Sequence, residues 1–192
     1  LNDSGMTTSG VKLRTVCALS DGSVMVGGSW AGNPIVLQYS KTGQELWRWM
    51  DTGNNPADVV SITSIPYTNQ IYVAITGSNL TAYAGSRIIK FTRSTAANLA
   101  RRENYWTIVN DGTDIHNLRK DGTTLVITEV HCHGTAPVAV GLTSGGTSVG
   151  VFYNLEEGVY KQVTATGNVE LFGISWSFPD TSYYIVGNAD NT

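Results

Sequence analysis

Hydrophobic and polar positions follow one another along this chain in short strand-like runs, each closed by small or turn-forming residues. The pattern is clearest from Ile35 to Trp49, where Ile-Val-Leu-Gln-Tyr-Ser and Leu-Trp-Arg-Trp flank a tight turn at Lys41-Thr42-Gly43. The first run is rich in β-branched and aromatic residues, and Gly43 can take the positive φ that a short hairpin needs. This stretch therefore predicts a β-hairpin with Leu46, Trp47 and Trp49 as large packing surfaces. Upstream, Val11 to Ser20 and Ser23 to Trp30 read as two strands joined at Asp21-Gly22. Ala31-Gly32-Asn33-Pro34 reads as the loop that leads into the hairpin.

These four strands can be laid over the next stretch of the chain. A second pass places strands at Asp58 to Pro66, Ile71 to Ser78, Arg87 to Thr92 and Leu99 to Trp106, with Val24 to Ser29 lying over Val73 to Ser78. A third pass starts near Asp114, turns at Asp121-Gly122, and continues with Thr124 to His131, Val149 to Asn154 and Val159 to Thr164. Its long loop, Cys132 to Ser148, has room for a small hairpin. A fourth runs from Val169 to Phe178, turns at Pro179-Asp180, and ends after Tyr183 to Val186. The expected organisation is an N-terminal arm or edge strand at 1–10 and one domain at 11–192, with repeat units at 11–50, 58–106, 114–164 and 169–192.

A four-stranded unit cannot bury both of its faces alone, so such units stack on one another. The expectation is an all-β fold, a partial β-propeller-like array of about three and a half four-stranded antiparallel blades. A β-sandwich is the alternative, since it also gives short strands with frequent turns. The half unit needs a partner, either an oligomer neighbour or a later segment. The chain begins Leu1-Asn2-Asp3 without an initiator Met, which reads as a processed product or part of a longer protein.

Leu37 to Trp47, with Thr42, Gly43 and Trp47 as its specific positions, resembles the repeat of quinoprotein-like and WD-type β-propellers. In that family a Thr-Gly step joins the last two strands of a blade and the Trp docks between blades. The family usually has Asp where this chain has Tyr39, and the second and third units lack the Thr-Gly step. The resemblance implies a fold. Its enzymes use pyrroloquinoline quinone and calcium with a catalytic Asp, metal ligands and often adjacent cysteines. No Cys-Cys pair occurs here and no acidic residue falls in a matching context.

Composition narrows the function classes. Charged residues are only 14% of the 192, against about 25% in an average soluble protein, and Gly, Ser, Thr and Asn are frequent, as a turn-rich β protein requires. A formal net charge of −3 offers no basic footprint for nucleic acid. No apolar run is long enough for a membrane helix, so membrane insertion is not expected. Two cysteines, Cys17 and Cys132, do not make a disulfide framework and read as core thiols.

His131-Cys132-His133 is the most chemical-looking triplet. On a strand its two imidazoles share one face and could hold a divalent metal, with His116 as a distant third ligand, while Cys132 faces the core. The alternative is a pair of strand-end histidines bonded to a loop. No other cofactor is expected. The P-loop pattern is absent, Glu156-Glu157 falls in a turn, and no catalytic residue is assigned. Gly27-Gly28 and Gly145-Gly146 read as bends or places of close backbone approach. Asn2-Asp3-Ser4 and Asn79-Leu80-Thr81 fit the glycosylation pattern at a frequency expected by chance. Trp30, Asn33, Tyr83 and Trp176 are the candidate ligand-binding residues, since exposed aromatics stack on sugars and small polar loops adapt. The competing reading packs Trp47, Trp49, Trp106 and Trp176 between blades.

The functional expectation is a non-catalytic recognition or assembly module, extracellular, cell-surface or virion-borne, that binds a glycan or protein partner. The alternatives are a secreted propeller enzyme of glycosidase, lactonase or quinoprotein type, and a structural subunit of a viral or surface assembly.

Overall fold

The computed structural model describes residues 10–52, 56–65, 70–77, 86–98, 103–108, 113–120, 123–133, 136–143, 150–154, 159–163, 169–177 and 182–189. These residues form small antiparallel sheets, and no helix occurs among them. The first sheet is a four-stranded meander of β1 (Val11–Ala18), β2 (Val24–Trp30), β3 (Asn33–Tyr39) and β4 (Glu45–Met50). Its turns follow from local chemistry. Asp21 Oδ1 accepts the Ser23 amide and hydroxyl at 3.0 and 2.7 Å beside Gly22. Between β3 and β4, Gly43 has φ +84° and the Ser40 hydroxyl accepts the amides of Thr42 and Gln44. The loop expected at Ala31 to Pro34 is shorter than its sequence suggests. Ala31 and Gly32 both have positive φ, as a two-residue type I′ turn requires, so Asn33 already pairs with Trp30.

The second unit contains β5 (Ala57–Ser64), β6 (Gln70–Gly77) and β7 (Ser86–Asn98). Two strands share the fourth place: β8 (Glu103–Ile108) pairs with the far half of β7, and β9 (Thr113–Lys120) pairs with its near half, both antiparallel to it. The third unit is β10 (Thr123–His133), β11 (Ala136–Thr143), β12 (Gly150–Asn154) and β13 (Val159–Val163); the fourth is the hairpin β14 (Val169–Ser177) and β15 (Ser182–Ala189). The third unit therefore starts one strand later than its sequence suggests. β9 completes the second unit, the connection from β9 to β10 joins two units, and the expected loop at Cys132 to Ser148 supplies the end of β10 and all of β11. β9 and β10 pair through only two residue pairs, Thr123 with Lys120 and Thr124 with Arg119. There the hydrogen-bonded path turns over, so that β10 and β11 lie against the face of β6 and β7.

A shared irregularity fixes the register of all four units. The first strand of each carries a bulge against the second, at Arg14, Val60, Thr128 and Phe172. A bulge shifts the side-chain alternation by one, so it decides which residues of the strand face each neighbour. Aligned on the bulges, Gly27 corresponds to Ala74, Val140 and Val186, and Met25 to Tyr72, Val138 and Tyr184. Val24 then overlies Ile71, two residues from the position that sequence similarity alone suggests. A slip of two keeps every side chain on its own face. Opposite the residue that precedes each bulge stand Gly28, Gly141 and Gly187 in three units, where a Cβ would fall within about 2 Å of the carbonyl oxygen of Lys12, Val126 or Glu170.

The core lies between the units. Met25 and Val36 of the first sheet meet Val59, Ile62, Ile71, Val73, Ile75, Ile89 and Phe91 of the second. Trp47 and Trp49 reach the same layer and stand edge-on to Phe91, with centroids 5.3 and 5.5 Å away. Such pairs add about 0.5–1.5 kcal/mol each beyond area burial. Tyr72, Ala74 and Ile88 meet Ile127, Val130, Cys132 and Ala139 at the next junction, and Val138 and Val140 meet Val169, Leu171 and Ile174 at the third.

Two substitutions test this packing. A Cβ on Gly27 would lie 2.5 Å from Val59 Cγ1 and 2.8 Å from Ile62 Cδ1, so Gly27→Val is expected to destabilise by about 1–3 kcal/mol through overpacking. Phe91 is fully buried beneath both tryptophans, and Phe91→Ala should cost about 3–5 kcal/mol. Urea unfolding followed by tryptophan fluorescence measures both.

Candidate functional site

The first strands of successive units, β1, β5, β10 and β14, lie next to one another, and polar side chains near the bulges link them. Arg14, at the first bulge, donates to Asp58 at 2.9 Å. Ser61, just past the second, donates to the Val130 carbonyl at 3.2 Å. Thr128, at the third, donates to the Leu171 carbonyl at 2.6 Å, and its neighbour Glu129 accepts the Ile174 amide at 2.8 Å. Ser86 and Thr76 hold the Ile127 amide and carbonyl at 2.7 and 2.9 Å. Hydrogen bonds of this kind to buried backbone contribute about 0.5–1.5 kcal/mol net, more where a charge takes part. They also fix the distance between units.

Among the described residues, this arrangement stops at β1 and at the β14–β15 hairpin. The described residues include five exposed large apolar side chains: Leu13 (43%), Val16 (67%), Phe172 (48%), Tyr184 (56%) and Val186 (64%). All five occupy junction positions. Leu13 and Val16 correspond to Val59 and Ile62, to Ile127 and Val130, and to Leu171 and Ile174, every one of them buried against the preceding unit. Tyr184 and Val186 correspond to Met25 and Gly27, to Tyr72 and Ala74, and to Val138 and Val140, which receive those residues. Phe172 stands where Val60 packs toward the third unit. One end thus shows the inserting half of the junction and the other the receiving half. The first sheet's outward face is closed farther from β1, where Ile35, Leu37 and Tyr39 are buried among Val24, Val26, Trp30 and Met50.

The residues singled out from sequence are dispersed. Trp30 and Asn33 face each other across the β2–β3 turn, with Trp30 part of the cluster just described. Trp176 lies on β14 opposite Tyr183 with its ring edge-on at 4.6 Å. Tyr83 lies outside the described residues. His131 and His133 sit on β10 opposite Val138 and Ala136; the side chains of His133 and His116 are not among those described. No three His, Cys, Asp or Glu side chains converge as metal ligands among the described residues. The end faces have no signal of their own in the sequence, because Leu13, Val16 and Val186 look there like ordinary core positions.

Neither Cys17 nor Cys132 is in a disulfide. Cys132 is buried among Tyr72, Ile88 and Val130, and the loss of solvent pushes its pKa up to about 12. A nucleophilic thiolate is therefore scarce at neutral pH. Because the folded thiol titrates higher than the unfolded one, its contribution to stability is complete below about pH 9 and is lost as pH rises toward about 12. Iodoacetamide at mildly alkaline pH should leave Cys132 unmodified in the folded chain and modify it fully in urea, as peptide mass mapping would report. Rapid modification without denaturant would contradict the buried placement.

No helix among the described residues is long and apolar enough to cross a membrane. No protein-family model matches the chain, and no curated protein matches it.

Proposed function

We propose that the chain is a non-catalytic assembly module of propeller type, which recognises a protein partner through the ends of its stack. The observation that carries this reading is the placement of the exposed large apolar side chains among the described residues, all at junction positions of the two end faces. Contiguous exposed apolar surface on a folded protein marks an interaction site. The resemblance of Thr42, Gly43 and Trp47 to the propeller repeat supports the same architecture, as does the edge-on packing of Trp47 and Trp49 on Phe91 of the next unit. A low content of charge with abundant Gly, Ser, Thr and Asn supports placement outside the cell, on a cell surface or on a virion. A protein partner is favoured over a glycan because the open side chains are mainly aliphatic, and Trp30 is packed among Ile35, Leu37 and Tyr39.

An environment-sensitive apolar dye tests the reading in dilute solution. The folded chain should enhance its fluorescence, and Val16→Asp together with Val186→Asp, one at each end, should remove most of that enhancement while far-UV circular dichroism stays unchanged. No enhancement from the folded chain would refute the docking surface. Turnover of generic ester or glycoside substrates would replace this reading with an enzymatic one.

A further inference from the structure

The two end faces are halves of one junction, and that junction occurs three times within the chain. Its chemistry is uniform: two aliphatic side chains flanking the bulge of a first strand enter a receiving surface built by the second strand of the unit before. Val59 and Ile62 lie over Gly27, Ile127 and Val130 pack with Tyr72 and Ala74, and Leu171 and Ile174 pack with Val138 and Val140. Leu13 and Val16 are the same inserting pair with no described unit before them, and Tyr184 and Val186 are the same receiving pair with none after.

We infer that the end faces dock on each other between molecules, the β14–β15 hairpin of one chain receiving β1 of a second copy, head to tail. This rests on the reading of the ends as docking surfaces and names their occupant. The end faces continue the series of junctions already formed. The step that carries each unit onto the next, applied once more to the fourth, puts a first unit there, and the first unit of a second copy has the required residues at the required register. The extents agree as well. Among the described residues the fourth unit presents β14 and β15, and at the other end the exposed large apolar side chains lie on β1, while Ile35, Leu37 and Tyr39 on β3 are buried. Because the surfaces differ, the interface is heterologous, and repetition gives a closed ring or an open filament according to the rotation per copy.

Sedimentation velocity over a wide concentration range, with single-end variants, tests the proposal. The wild-type chain should form species larger than its 20.6 kDa monomer. Val16→Asp and Tyr184→Asp should each sediment as monomers, since each lacks one half of the junction. Mixing the two should restore a single intact junction and give a one-to-one dimer that grows no further. Circular dichroism checks that each variant is folded, and Val16→Ser and Tyr184→Ser replace any Asp variant that is not. A wild-type chain that stays monomeric throughout overturns the proposal. If that monomer still enhances the apolar dye, the docking surface stands with a different occupant; if it does not, both readings fall. Val16→Asp that dimerises alone, or a mixture that remains monomeric, would also overturn the head-to-tail geometry.

Discussion

Everything in this structure depends on burying both faces of each small sheet against a neighbour. A lone four-stranded meander leaves one or both faces wet, and burial of a single Val, Leu, Ile or Phe contributes about 1.5–3 kcal/mol. The apolar layers therefore sit between units: Met25 and Val36 against Val59 and Phe91, then Tyr72 and Ile88 against Ile127 and Val130, then Val138 and Val140 against Leu171 and Ile174. Stability in such a stack is close to a sum over units and nearest-neighbour junctions. The bulges at Arg14, Val60, Thr128 and Phe172 set this pattern, because each turns the apolar residues on either side of it to the same face of its strand.

The polar contacts are subordinate to that layering but give it registry. Arg14 with Asp58, Ser61 with the Val130 carbonyl, and Thr128 and Glu129 with the backbone of β14 all join first strands of adjacent units near the bulges. They use different chemistry at similar places, so the common element is position. A carboxylate accepting a backbone amide, as Glu129 does from Ile174, is a charge-assisted bond and stronger than its neutral neighbours.

How much of this was legible in the sequence varies with the unit. The first sheet could be read almost strand for strand, because Asp21-Gly22 and Thr42-Gly43 mark its turns and Ile35 to Tyr39 has the composition of a buried strand. The layers were legible too, since a two-residue error in overlaying Val24 on the second unit leaves every residue on its correct face. The third unit was not. Asp121-Gly122 has the same turn chemistry as Asp21-Gly22, and a turn dipeptide specifies a local reversal without saying whether the two strands belong to one unit or to two. The bulges were invisible because Arg, Val, Thr and Phe have no side-chain property in common. The end faces were invisible for a related reason: Val16 and its counterpart Ile62 are both β-branched aliphatics in the same kind of strand, and only the neighbour tells them apart.

The divided place beside β7 has a meaning for how such a chain could change over time. β8 and β9 run in the same direction along the two halves of one strand, and the pairing of β6 with β7 runs without a register shift. Both strands pair with β7, and neither pairs with β5, the first strand that joins the second unit to its neighbours. A lineage could therefore alter β8 while the pairing of β5, β6 and β7 that supports the junctions stayed in place.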